Sequence, residues 1–150
     1  MGTPSYIGDW TEWEKDFSFY NETKVRFSET DAFGHLNNTN AFVYFEEVRL
    51  EFFKKAGLMQ QWLAPDSEKM IVVADMHCDY IKQVYFDESL NIYMKIARIG
   101  NSSADVHYLV KNKNGENCLT GRGAVVQISK ETGSSLPWSD DDKERMNSLQ

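Results

Sequence analysis

From Phe17 to Phe27 the chain places Phe17, Phe19, Asn21, Thr23, Val25 and Phe27 on every second position, with Glu22, Lys24 and Arg26 among the residues between them. A period of two predicts a first β-strand with one face turned to a core. In "TNAFVYFEEVRLEFFKKAGL" the period changes. At about 100° per residue, Ala41, Phe42, Phe45, Val48, Phe52, Phe53 and Ala56 fall on one broad arc and Glu47, Glu51 and Lys54 fall outside it, which predicts a helix of roughly five turns. Asn37 or Asn38 suits its N-cap and Gly57 the left-handed position past its end. Four further segments, 70–82, 90–100, 104–112 and 117–129, are rich in β-branched and aromatic residues and read as strands, with Asn114-Gly115 as a hairpin turn. Gly121 and Gly123 share one face of the last strand, so a bend or a close approach by other backbone is expected there. The Asp-rich start of "SDDDKERMNSLQ" suits a short surface helix.

The order strand, long helix, four strands is an α+β pattern, with the helix covering a five-stranded antiparallel sheet. One helix cannot cover both faces of such a sheet, and its outer strands leave open edges, so self-association is expected. Residues 1–15 lack a sustained period and read as a surface segment pinned by Trp10 or Trp13; 16–137 form the domain, and 138–150 a tail.

Composition narrows the function classes. At 150 residues and 41% hydrophobic content the chain is one globular domain. A formal charge of −7 and a pI near 4.9, without a Lys/Arg cluster, speak against nucleic acid or an anionic membrane as partner. No apolar run approaches the roughly 20 residues of a membrane span. Cys78 and Cys118 are far apart and no leader peptide is evident, which fits reduced thiols in the cytoplasm.

The chemistry-bearing residues concentrate in "SETDAFGHLNN", residues 28–38. Asp31 follows the first strand and precedes the helix; its carboxylate, with a reference pKa of about 3.9, can activate water or attack a carbonyl. Spacing alone favours a plainer role, closing a turn or favouring the helix N-terminus. Gly34 permits close backbone approach, and free N–H groups where Asn37 and Asn38 begin the helix can face a carbonyl oxygen gaining charge. His35 either lines such a site or serves the loop. Arg49 projects into the apolar arc and needs a partner, for which Glu46 is the nearest candidate; Glu46 is also a secondary catalytic candidate. His77 and Cys78 point to opposite faces of a strand and His107 has no spaced partner, so no metal site is expected. Nucleotide, serine-hydrolase and zinc motifs are missing, and no cofactor is called for.

The stretch "RFSETDAFGHLNNTNAFVYFEEVRLEFF" resembles the hotdog-fold acyl-CoA thioesterases of the 4-hydroxybenzoyl-CoA thioesterase family. The matching positions are Glu29, Asp31, Gly34, His35, Leu36, Asn37, Asn38, Tyr44, Glu46 and Arg49. The likeness continues through "DYIKQVYFDESLNI" and "GRGAVVQISKETGSSLP", covering roughly residues 16–137. It implies a five-stranded antiparallel sheet wrapped around one long central helix, a homodimer with sites at the interface, and often a homotetramer. It further implies hydrolysis of an acyl-CoA substrate, with Asp31 as nucleophile or general base and the helix N-terminus polarising the thioester carbonyl. Gly34, His35, Asn37, Asn38, Thr39 and Tyr44 are then substrate-binding positions. Each amide donor near Asn38 and Thr39 would supply about 3 kcal/mol of oxyanion stabilisation. Glu29 stands where the family usually has Asp, Ala41 where Tyr is common, and Gln83 where Pro is frequent. A non-catalytic module that binds acyl-thioesters or a protein partner is the alternative, and it has no use for an ionised Asp31. Lys82, Arg98, Lys111 and Arg122 are scattered candidates for the CoA phosphates.

Overall fold

The computed structural model describes residues 2–149. Its organising element is the helix α2, Asn38–Lys55, preceded by a short helix α1, Trp10–Lys15. Asn37 caps α2: its backbone is extended and its side chain accepts from the Thr39 N–H. At the other end Gly57 has φ 80, a conformation that glycine adopts without penalty, and the chain turns there into α3, Leu58–Leu63. Ala41, Tyr44, Phe45, Val48, Arg49, Phe52 and Phe53 form the buried face of α2, whereas Phe42 is 37% exposed at its edge.

Five strands form one antiparallel sheet against this face: β1 Phe19–Lys24, β2 Lys69–Tyr80, β3 Ser89–Ile99, β4 Ser103–Asn112 and β5 Asn117–Ser129. Their order is β1-β3-β4-β5-β2, so β1 and β2 are the edges. Leu90, Ile92, Met94 and Ile96 of β3 and Ala104, Val106, Tyr108 and Val110 of β4 alternate toward the helix and build the core. Phe45 stacks on Tyr108 with ring centroids 4.4 Å apart. Opposite it, a Cβ on Gly121 would lie 2.5 Å from the Phe45 ring and 2.9 Å from the His77 carbonyl oxygen. The glycine of β5 is therefore a seat for an aromatic ring as well as for neighbouring backbone. The tail forms α4, Asp140–Asn147, opened by a capping box between Ser139 and Asp142.

Two sequence expectations are corrected. The alternation through Phe27 breaks after Val25: β1 ends at Lys24, and residues 27–29 curl into a 3-10 turn that leaves Phe27 78% exposed. The cause is Glu29, whose side chain accepts from the Arg26 N–H at 2.8 Å and closes the turn. Arg49 does not pair with Glu46. Its guanidinium donates to the Tyr108 hydroxyl at 3.0 Å, while Glu46 lies exposed on the solvent side of α2.

Of the two N-terminal tryptophans it is Trp13, 7% exposed, that pins the segment to the outer sheet face, beside Ile7 and Leu109. Its indole N–H donates to Nδ1 of buried His107 at 2.8 Å, and Lys95 donates to its carbonyl. An imidazolium has no acceptor at Nδ1, so this contact requires neutral His107. Burial pushes the His107 pKa down, Asp105 opposes that shift, and Lys95 and Arg122 add to it. The released imidazole binds a proton near its ordinary value of about 6.5 and the docked one only at lower pH. Docking is thus fully stable above about pH 6.5 and weakens as pH falls toward the depressed value. The Trp13 indole N–H resonance, followed from about pH 7.5 to about pH 5, should report release of the segment, and a signal unchanged over that span contradicts the docking account.

Candidate active site

The loop before α2 is tied down at both ends. At its start, the Glu29 carboxylate also accepts from the Tyr44 hydroxyl at 2.9 Å, and its carbonyl accepts from the Asn37 N–H at 2.7 Å. Burial, with Glu29 beside it, raises the Tyr44 phenol far above its ordinary pKa and keeps it a donor. At its end, the Leu36 N–H donates to the Val84 carbonyl at 2.7 Å, and His35 forms a backbone bridge to Tyr85. The His35 ring packs edge-on against Tyr85 at 5.0 Å.

Within the loop, Gly34 takes φ 79 and its N–H donates to the Asp31 carbonyl at 3.0 Å. The Asp31 N–H donates to the His35 carbonyl at 2.8 Å. Asp31 Oδ1 accepts from the Phe33 N–H at 2.9 Å and from the His35 N–H at 3.2 Å. Its Oδ2 accepts from no described residue. One oxygen holds the loop and the other is open.

The helix terminus has the same division of labour. Asn37 Oδ1 accepts from both the Thr39 N–H at 3.2 Å and the Thr39 hydroxyl at 3.0 Å, and the Asn37 carbonyl accepts from the Asn40 N–H at 2.9 Å. The Thr39 amide, expected to be open, is thus engaged by the cap. Among the described residues the Asn38 N–H has no partner.

Asp31, His35 and Asn38 line one cleft of about 410 Å³, together with Leu36, Tyr80 and Lys82. Ile81, Val84 and Leu119 give it apolar wall. Gly34, Asn37 and Thr39 shape the loop and cap without lining it. Tyr44 lies elsewhere, on a cleft of about 730 Å³ between β1 and α2, whose lining includes Glu22, Glu47 and Glu51. That acidic lining is unsuited to a polyanion. Of the four scattered cations, Lys82 alone reaches the Asp31 cleft, where it also pairs with Glu116 at 3.4 Å; Lys111 pairs with Glu14 at 3.2 Å, and Arg98 and Arg122 border another cleft beside Asp105. No group of three metal-ligating side chains occurs among the described residues.

Tyr80 is the site residue that sequence reasoning missed. Its hydroxyl donates to the Asn38 carbonyl at 2.7 Å. The stretch that begins at Asp79 carries the family likeness but assigns Tyr80 no role, because only the sheet order brings the end of β2 to the start of α2.

Comparison with known proteins supplies the lineage. The family model of the thioesterase-like superfamily matches residues 25–146. The chain is 47% identical over 147 residues to the uncharacterized protein YsmA of Bacillus subtilis (strain 168), spanning 97% of each. Among solved structures it is similar to one described as a predicted thioesterase from Bacillus stearothermophilus, with 33% identity, TM-score 0.77, and 87% of this chain and 95% of that one covered. It is also similar to a thioesterase from Thermus thermophilus complexed with coenzyme A and Zn, with 27% identity, TM-score 0.72, and 87% and 92% of the two chains covered. A sheet of this order on one buried helix face, with Asp31 and the first residue of that helix lining one cleft, thus occurs in a chain that belongs to the thioesterase-like superfamily.

Proposed function

We propose that the protein hydrolyses an acyl-CoA thioester to a carboxylic acid and free CoA, using Asp31 as nucleophile or general base. The observation that carries this reading is that Asp31, whose Oδ2 is open, and Asn38, whose N–H has no partner among the described residues, line one cleft. The thioester carbonyl oxygen rests on the Asn38 N–H, which strengthens its bond as the oxygen gains charge. On the general-base route Asp31 takes a proton from water while the water oxygen bonds to the carbonyl carbon. The tetrahedral oxyanion then reforms the carbonyl, the C–S bond breaks, and the thiolate receives the proton. On the nucleophilic route Oδ2 bonds to the carbonyl carbon and the thiolate leaves; water then opens the resulting anhydride to the same acid, returning the Asp31 carboxylate and yielding the proton that the thiolate takes up. A thiol of pKa about 8.5 leaves readily, so carbonyl polarisation and a placed base supply most of the help the reaction needs.

Around this centre His35 and Tyr80 wall the acyl or pantetheine portion and Lys82 faces the phosphates. Gly34, Asn37 and Thr39 act through the loop and cap; Tyr44 acts through Glu29. Phe27, Phe33, Tyr85 and Phe86 surround the loop, 47–82% exposed, and β2 leaves an unpaired edge. A second copy covering these surfaces makes a homodimer and dries the site, with a homotetramer as a further stage. We place the reaction in the cytoplasm, where Cys78 and Cys118, both free thiols, stay reduced.

A panel of short, long and aromatic acyl-CoAs, read by thiol release and by thermal shift, tests the function. The reading expects turnover of at least one class; stabilisation by acyl-CoAs without any thiol release favours the non-catalytic binding module instead.

A further inference from the structure

We infer that Tyr80 is a positioning residue that holds the Asn38–Thr39 peptide, joined through the Asn38 Cα to the peptide carrying the open Asn38 N–H, and so keeps that N–H in register with Asp31; the inference rests on the thioesterase reading. Tyr80 is the last residue of β2 and pairs with Leu119 of β5, so the sheet fixes its backbone. From there its ring forms part of the cleft wall and its hydroxyl reaches the Asn38 carbonyl at 2.7 Å. A carbonyl oxygen has two lone pairs, and the helix ladder uses one. The phenol takes the other at no cost to the helix.

The hold matters because first turns fray unless they are tied down. Within the first turn of α2, Asn37 holds both peptides of residue 38 from inside the helix: its carbonyl, in the peptide of the Asn38 N–H, accepts from the Asn40 N–H, and its side chain accepts from the Thr39 N–H, in the peptide of the Asn38 carbonyl. Tyr80 supplies a direct restraint on Asn38 from outside the helix. The base is referred to the same stretch of chain, since the Asp31 loop hangs on Val84 and Tyr85 through Leu36 and His35. Residues 80–85 are thus a common frame for the carboxylate and the amide. Burial, with Cys78 close by, pushes the phenol up to about 12, so the hydroxyl remains a donor across the working pH range and is not itself the base.

Tyr80→Phe keeps the wall and removes the hydroxyl. With an acyl-CoA that the wild type cleaves, kcat should fall about ten- to hundredfold while KM stays within about twofold, the pattern of an interaction realised in the transition state. Independently of turnover, hydrogen exchange of the Thr39 amide, the bonded N–H of the peptide that Tyr80 holds, should accelerate severalfold relative to wild type. An unchanged kcat, or a rise in KM alone, overturns the inference. So does an unchanged Thr39 exchange rate. Should the wild type cleave no acyl-CoA, the thioesterase reading fails by itself, and the exchange rate still decides whether Tyr80 holds Asn38.

Discussion

Replacing Asp31 by asparagine should lower thiol release by about 10²- to 10⁴-fold while leaving the melting temperature and the oligomeric state as they are. The two halves of the expectation come from the two oxygens. Oδ1 carries the loop by accepting from the Phe33 and His35 N–H groups, and an asparagine Oδ1 accepts in the same way. Oδ2 has no partner among the described residues, and there the amide nitrogen can neither take a proton from water nor form the anhydride bond. Asp31→Ala removes both functions and so should also loosen the turn. Near-wild-type turnover in Asp31→Asn contradicts the assignment of Asp31 to the chemistry.

The second large effect is in the core. Phe45→Ala should cost about 3–5 kcal/mol, because the ring is fully buried and stacked on Tyr108. That corresponds to a melting point lower by roughly 10 °C in a chain of this size. Gly121→Val should cost about 1–3 kcal/mol by driving a side chain into the same ring. In the double variant the valine enters space that the ring has left, although the His77 carbonyl still crowds its Cβ. Chemical denaturation of the four proteins should therefore show a double variant less destabilised than the sum by about 1 kcal/mol; strict additivity contradicts direct ring-to-glycine packing.

These cases also show where the sequence was legible. Strands β2 to β5 were readable because each carries a run of β-branched and aromatic residues between turn signals. The start and stop of α2 were written locally, in Asn37 and Gly57. Gly121 announced a close approach without saying by what, since Phe45 lies 76 positions away. The helices α1 and α3, six residues each, are too short to establish a period. The end of β1 was lost to one carboxylate: nothing in the alternation tells that Glu29 will curl the chain and leave Phe27 outside. Arg49 illustrates the pull of local spacing, which offered Glu46, where the fold offers Tyr108.

The site divides along the same line. Asp31, His35 and Asn38 occupy a single loop and cap, so their nearness in sequence is their nearness in space. Tyr80 and Lys82 arrive from a strand end that reaches the cleft only because β2 takes the edge beside β5. The Thr39 amide was a reasonable oxyanion donor until the Asn37 side chain claimed it. What is left open at the helix terminus, the Asn38 N–H, is a detail of cap geometry that no residue type encodes.

The most direct test of the account is the carbonyl stretch of a ¹³C-carbonyl acyl-CoA, cleaved by the wild type, bound to Asp31→Asn and read by isotope-edited infrared difference spectroscopy. Polarisation by the Asn38 N–H predicts a stretch shifted to lower frequency than that of the same thioester in water. A frequency equal to or above the solution value would contradict the placement of the reacting carbonyl on the helix terminus.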